Sequence, residues 1–325
     1  MQRFRRLRMT ETIRRMVREV ELQLDDLITP VFVTEGFNVK SNTSAMPDFY
    51  TYSLDRLTEA LDELSALGLK QLILFGVPGF KDGLGTQAYD ENGIVQKAIK
   101  LIKQYDSSFY IITDVCLCQY TDHGHCGIIN DQGEILNDET VKLISKIALS
   151  HVQAGADMVA PSDMMDGRIA GIRNILDQNG FEYIPIMAYS LKYCSNYYGP
   201  FRAVADSSPK FGSRKSYQMD YHNSKEAVDV AKADVEQGAD FIMVKPAMIY
   251  LDIVKTISMS ISKPVVVYNV SGEYAMLDQG IKTGIVSENI IYETMIAFKR
   301  AGASLIITYF SKDIARKLNQ FKERG

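Results

Sequence analysis

Gln237-Gly-Ala-Asp-Phe-Ile-Met-Val-Lys-Pro246 reads as one helix-to-strand joint followed by one buried strand. The joint recurs as Ala154-Gly-Ala-Asp157 and Ala301-Gly-Ala-Ser304, each time ahead of an apolar, β-branched run. A glycine there caps the helix, because the left-handed backbone of a helix end carries no Cβ penalty in glycine. Working outward, eight such runs appear: 27–33, 70–76, 109–115, 156–162, 184–190, 241–246, 264–271 and 305–310. Helical spacing separates most of them, from Ser53 (a plausible N-cap) to Gly68, then over 94–105, 138–153, 165–179 and 224–236. Alternation of this kind predicts an α/β fold with eight parallel strands, a (β/α)8 TIM barrel. A doubly wound sheet also alternates, but no Gly-x-Gly-x-x-Gly follows the first strand.

The chain has 325 residues, 46% of them hydrophobic, enough to bury one large core. Its formal charge is -4, from 36 basic and 40 acidic residues, so no basic field invites nucleic acid, and no run is long enough to predict a membrane span. Arg3, Arg5, Arg6 and Arg8 hint at a transit peptide. The acidic residues that follow, and the lack of an apolar signal core, favour instead an N-terminal arm over 1–26 that reaches across a neighbouring surface. Residues 27–325 are then the barrel. Four cysteines, three of them within eleven positions, do not resemble a secreted disulfide framework, so a cytoplasmic location is expected.

Polar residues end the strands: Asp114, Cys116, Ser162, Asp163, Lys192, Lys245, Ser271 and Tyr309. That is the face on which barrel enzymes keep their chemistry. Lys245 closes an apolar strand, where desolvation disfavours the ammonium, and Lys192 on a nearby strand end would depress it further. A neutral amine is a nucleophile toward ketones, so Schiff-base chemistry follows. A lysine snorkelling to the rim is the bland alternative.

Cys116, Cys118 and Cys126 have the spacing Cys-x-Cys-x7-Cys. Three thiolates suit Zn2+ and leave a fourth position open for catalysis. His123 or His125 as a fourth ligand would make the site structural, and a disulfide is the other reading. Cys194 reads as a spare small residue. The long polar segment 193–223 reads as a lid whose Arg202, Lys210, Arg214 and Lys215 suit a carboxylate, with a solvated loop as the alternative.

Several motifs together resemble the porphobilinogen synthase (5-aminolaevulinate dehydratase) family, across nearly the whole chain. They are Arg5-Arg-Leu-Arg8, the loop 114–127, Ala160-Pro-Ser-Asp-Met-Met-Asp-Gly-Arg168, Tyr198-Gly-Pro-Phe-Arg202, the run 210–219, Met243-Val-Lys-Pro-Ala247, Val270-Ser-Gly-Glu-Tyr-Ala-Met276 and Ile306-Ile-Thr-Tyr-Phe310. The resemblance implies a lyase of tetrapyrrole (haem) biosynthesis that joins two 5-aminolaevulinate molecules with loss of two waters. It implies an imine at Lys245, with Ser271 and Tyr309 on that substrate's carboxylate, and a second imine at Lys192. Arg202, Arg214 and Gln218 would take the other carboxylate, Asp114 and Ser162 would orient the first substrate's amino group, and catalytic Zn2+ would sit on Cys116, Cys118 and Cys126. It also implies a homo-octamer embraced by the arms. Where relatives carry a glutamate for an allosteric Mg2+, this chain has Val230, so activation through that position is not expected. From the residues alone, the rival enzyme is a lysine-dependent class I aldolase on a barrel, which has no use for three thiolates. A non-catalytic zinc scaffold leaves Lys245 unexplained.

Overall fold

The computed structural model describes every residue except Ala45, Arg324 and Gly325. The arm holds a 3-10 turn, Phe4–Arg8, and a short helix α1 (Glu11–Met16) whose first turn is capped by Thr10, the hydroxyl accepting from Ile13 N–H at 3.2 Å. Nothing in the arm is buried before Leu22.

From β1 (Leu27–Thr34) the chain makes a hairpin, β2 (Lys40–Thr43) with β3 (Met46–Ser53), and then enters α2 (Leu54–Leu67). β4 (Gln71–Val77), α3 (Ile94–Tyr105), β5 (Tyr110–Val115), α4 (Asn137–Ala154), β6 (Met158–Pro161) and α5 (Arg168–Gln178) form three further units. β7 (Met187–Lys192) leads to the lid, which holds the short helix α6 (Gly199–Val204). The chain ends with α7 (Glu226–Glu236), β8 (Phe241–Lys245), α8 (Leu251–Ser260), β9 (Val265–Asn269), α9 (Ser271–Lys282), α10 (Asn289–Ala301), β10 (Leu305–Thr308) and α11 (Ser311–Glu323).

Eight strands pair in parallel in the order β6-β5-β4-β1-β10-β9-β8-β7, and a parallel bridge from Val159 to Ile186 joins β6 to β7. The ring is therefore the expected barrel. The repeated joint works as a floor. Gly155 and Gly238 take φ of +110° and +108° at helix ends, and the aspartates that follow reach sideways: Asp157 accepts from Ile111 N–H at 2.7 Å, and Asp240 from Ile186 N–H at 3.0 Å. Each such carboxylate satisfies an amide at the start of the preceding barrel strand.

The hairpin also joins the ring, β3 adding to β1 through Phe32 and Thr51. Three expectations shift. Ser53 does precede α2, but its hydroxyl serves the hairpin loop at Val39, accepting from its N–H at 2.8 Å, and leaves the helix uncapped. Lys192 ends β7 itself instead of following it. The strand predicted to reach residue 271 stops at Asn269, because Ser271 already belongs to α9. No helix among the described residues is long and apolar enough to cross a membrane.

His151, on the core face of α4, is fully buried, and neither ring nitrogen has a hydrogen-bond partner among the described residues. Burial pushes its pKa down from 6.5 to about 3. The unfolded chain therefore takes up a proton below pH 6.5 that the folded chain refuses, and stability falls as pH drops from there toward 3. His151→Leu should raise stability by about 1–3 kcal/mol at pH 7, since an unpaired buried polar group is replaced by an apolar one. Thermal denaturation at pH 7 and pH 5 checks both parts, the variant losing less on acidification.

Candidate active site

Six barrel strands deliver chemistry to one end: Asp114 from β5, Ser162 just past β6, Lys192 from β7, Lys245 from β8, Ser271 just past β9 and Tyr309 just past β10. All six line one cavity, with Cys118, Gln119, Arg202 and Arg214 beside them. Larger clefts lie at the arm's base, beside α7 and beside α11, but neither of the two strand-end lysines lines them. Gln218 is the one expected ligand that lines the α7 cleft instead of this cavity. Asp163 turns away too. It accepts from Met165 N–H at 2.8 Å, lies 4.0 Å from Arg168, and is pushed by burial up to about 6.

Lys192 and Lys245 are direct register partners on adjacent strands. Their side chains are 5% and 6% exposed, so two cations share a buried site. A register shift makes this possible. Ala188 faces Ile242 and Leu191 faces Val244, so β7 carries one residue more than β8 across the same step. Side chains alternate along a strand, and Tyr189 and Lys192 would otherwise point to opposite faces. The bulge turns both inward.

Lys245 Nζ sits 4.0 Å from the centroid of the Tyr268 ring and about equally far from Tyr189 and Phe201, at 5.0 and 5.2 Å. Burial first, and Lys192 second, lower its pKa from 10.5 to about 7, against the opposing pull of Asp114. Near neutral pH a large share of Lys245 is therefore free amine. Lys192 Nζ donates to the carbonyl oxygen of Ser162. Burial raises the Asp114 carboxyl, while Lys192 and a Ser162 hydrogen bond oppose the shift. Gln119 links this carboxylate to the cysteines, donating to Asp114 at 3.3 Å and accepting from Cys118 Sγ at 3.4 Å.

The sulfurs of Cys116, Cys118 and Cys126 all lie within 4.8 Å of one another, buried and free of any disulfide. Burial drives the Cys116 thiol up. Cys118 is raised to about 11, and Cys126 is held well below its usual range by hydrogen bonds from Cys116 and Cys118. Three soft donors, one of them biased toward thiolate, suit a thiophilic divalent cation. The histidines are not in it. His125 pairs with Tyr217 Oη at 3.1 Å and the Phe211 carbonyl at 3.0 Å, while His123 Nδ1 accepts from His125 N–H. Three protein ligands leave a position open toward the cavity, where Cys118 forms part of the wall.

The lid closes over both features. Phe201 packs on Phe32 and Phe75, with ring centroids 5.6 and 5.3 Å apart, and its N–H donates to Ser271 Oγ at 2.9 Å. Arg214 donates to the carbonyls of Gly124 and Ser207 at 3.0 and 2.5 Å. The Nε atoms of Arg202 and Arg214, and both amide atoms of Gln218, are buried without partners among the described residues. Burial and Arg214 together lower the Arg202 pKa. Two adjacent guanidiniums in this state call for an anion.

Gly124 is where the cysteine loop meets the lid. Its φ is +75°, and a Cβ there would stand 2.3 Å from the carbonyl oxygen of Ser208. Gly124→Ala should displace the lid and reduce kcat/KM by about 10-fold or more, as misplacement of a binding element does. Limited proteolysis should cut the variant faster within 193–223 with the barrel's thermal midpoint nearly unchanged.

Tyr189, Tyr268, Gln119 and Glu273 escaped the sequence reading. Glu273, fully buried, accepts from Ala247 N–H at 3.1 Å, Met248 N–H at 2.7 Å, Val270 N–H at 3.0 Å and the Asn269 amide at 3.0 Å. It ties the turn after Lys245 to the end of β9. Its signal was a glutamate at the third position of a helix, reaching back to the Val270 N–H, a helix start inside a motif read as strand end.

The sequence profile of the family described as Delta-aminolevulinic acid dehydratase matches residues 1–317. A Delta-aminolevulinic acid dehydratase of Halalkalibacterium halodurans is 52% identical over 321 residues, covering 98% of each chain. One from Bacillus subtilis is 50% identical over 317 residues, 97% of this chain and 98% of that one. Among solved structures, the delta-aminolevulinic acid dehydratase (porphobilinogen synthase) of Toxoplasma gondii in complex with porphobilinogen superposes with a TM-score of 0.95 at 39% identity, covering 97% of this chain and 91% of that one.

Proposed function

This chain belongs to the delta-aminolevulinic acid dehydratase family, and from that premise we propose how its residues carry out the family's reaction. The reaction is that of a porphobilinogen synthase: two 5-aminolaevulinate molecules condense to porphobilinogen and two waters leave. The observation that carries the reading is the pair of buried lysines facing each other in register across β7 and β8.

Lys245, the amine held near neutral, forms an imine with the substrate that supplies the propionate side. The protonated imine is an electron sink that eases loss of a neighbouring proton and attack by carbon. Lys192 forms the second imine, on the other substrate. Tyr309 and Ser271 hold the first carboxylate, the Ser271 hydroxyl exchanging its lid contact for substrate. Arg202 and Arg214, joined by Gln218 from behind the lid, hold the second. Asp114 and Ser162 orient the first substrate's amino group. Cys116, Cys118 and Cys126 would hold Zn2+, their three-thiol set fitting that ion, and when bound it supplies Lewis acidity beside the amine. The rings of Tyr268, Tyr189 and Phe201 keep water from the reacting amine.

The exposed Phe4, Leu7, Met9 and Met16 of the arm support assembly with further copies, the octamer being the expected form. Free thiols accord with a cytoplasmic location. Val230 offers no oxygen ligand, so no Mg2+ activation through that position is proposed.

Incubation with 5-aminolaevulinate and borohydride tests the imine. Substrate mass should be fixed on the peptide bearing Lys245, and a protein that turns over substrate yet never retains mass there would refute the assignment.

A further inference from the structure

Between the two lysines lies a tyrosine that the reaction as described uses only as a wall. Tyr189 is fully buried, and the bulge in β7 puts it on the same side of the strand as Lys192, next to both amines. Lys245 Nζ is 5.0 Å and Lys192 Nζ 5.7 Å from its ring centroid. The hydroxyl is buried beside the Asp114 carboxylate, close enough to interact with it as a donor but without a well-aligned hydrogen bond among the described residues. Tyr268 across the cavity makes the contrast: its hydroxyl is satisfied by Tyr309 Oη at 3.1 Å. Asp114 already has donors in Gln119 and Ser162, so a bound ketone would offer the Tyr189 hydroxyl an acceptor free of that competition. Burial keeps the phenol protonated, so it is available as a donor.

Resting on the imine reading above, we propose that the Tyr189 hydroxyl donates the hydrogen bond to the ketone oxygen of the substrate while Lys245 adds to its carbonyl carbon. As the C–N bond forms, the carbonyl π pair moves onto oxygen, and a preorganised neutral donor stabilises that charge without reorganising. An ammonium proton then passes from nitrogen to this oxygen, giving the carbinolamine. Next the C–O bond breaks, the nitrogen lone pair closes C=N, and the oxygen leaves as water with both amine hydrogens; the basic imine nitrogen then takes one proton from the medium to become the protonated imine. Tyr189 keeps its proton throughout.

The test is the rate at which rapid quenching in borohydride captures substrate on Lys245 in the intact enzyme. Tyr189→Phe should slow capture by about 100-fold, the effect of removing one such donor. Final adduct yield and substrate affinity should stay unchanged, and the thermal midpoint should be equal or higher. In a second variant, 3,5-difluorotyrosine at position 189 should shift the alkaline limb of the capture rate to lower pH, because the more acidic phenol ionises and ceases to donate. A wild-type capture rate in Tyr189→Phe, or, should that variant not fold, an unmoved alkaline limb in the fluorinated one, overturns the assignment. Absence of any lysine adduct in the unaltered protein removes the imine reading itself, a separately recognisable outcome.

Discussion

Lys245→Met should reduce porphobilinogen formation by about 10⁴-fold or more, as loss of a covalent nucleophile does, while the barrel stays folded. Methionine fits the slot. Its thioether packs against aromatic rings as the lysine stem does, and four rings surround the amine: Tyr268, Tyr189, Phe201 and Tyr198. Removing a cation from a buried site that Lys192 shares should leave the thermal midpoint unchanged or higher. The same residue sets an acid limb in the wild-type pH profile. A pKa near 7 means that activity rises with pH through that value, as ammonium gives way to amine. Lys192→Met removes the second-largest cause of the depression, so in that variant the borohydride-trapping profile at Lys245 should move to higher pH. A downward shift would show that the two lysines do not interact as their register implies. Initial rates, melting curves and trapping from pH 5 to 9 decide these points, and a Lys245→Met protein keeping a tenth of the activity would end the assignment.

The sequence carried the barrel and both lysines because each rests on a local signal. Apolar runs mark strands, glycine at 155, 238 and 302 marks helix ends, and a lysine closing Phe241-Ile-Met-Val is anomalous wherever that strand lies. The thiols were equally local, three within eleven positions. What stayed hidden depends on pairing between distant segments. The bulge that points Tyr189 and Lys192 to one side is visible only against β8, since an extra residue has no meaning without a partner strand. Tyr189 and Tyr268 read as ordinary core residues until a lysine is placed over them. Ser271 reads as the end of an apolar run, yet it begins α9, and its hydroxyl holds the lid at Phe201. Gln218 looked like a companion of Arg214 because it lies four residues on. The turn from 214 to 218, closed by the Gln218 N–H on the Arg214 carbonyl at 2.9 Å, leaves its amide buried and without a partner among the described residues, which no local pattern announces.

Stripping the metal should abolish turnover and spare the fold. The three thiols hang from a loop after β5, against Met165, Ile135, Val141 and Tyr217, and none is needed to close the barrel. Loss of a cation leaves them a ready alternative, because Cys116, through burial, and Cys118, through its hydrogen bond to Cys126, favour their protonated forms. The one thiolate left, Cys126, then accepts from both neighbouring thiols, so the metal-free cluster keeps its polar groups satisfied and costs the folded state little. A structural zinc behaves otherwise, since its binding energy is folding energy. Incubation with a strong chelator under reducing conditions should therefore lower activity by about 100-fold or more with the far-ultraviolet circular dichroism spectrum unchanged. Reductant matters, because the Cys116 and Cys118 sulfurs lie 3.5 Å apart and oxidation would mimic metal loss. Zn2+ should restore the rate and Mg2+ should not, oxygen-seeking Mg2+ being a poor match for three sulfurs. Cys126→Ser should reproduce the chelated state and resist rescue by Zn2+, since it removes the sulfur most disposed to be anionic. Unfolding on chelation would make the cluster a structural clasp; full activity after verified removal of metal would take it out of the reaction altogether.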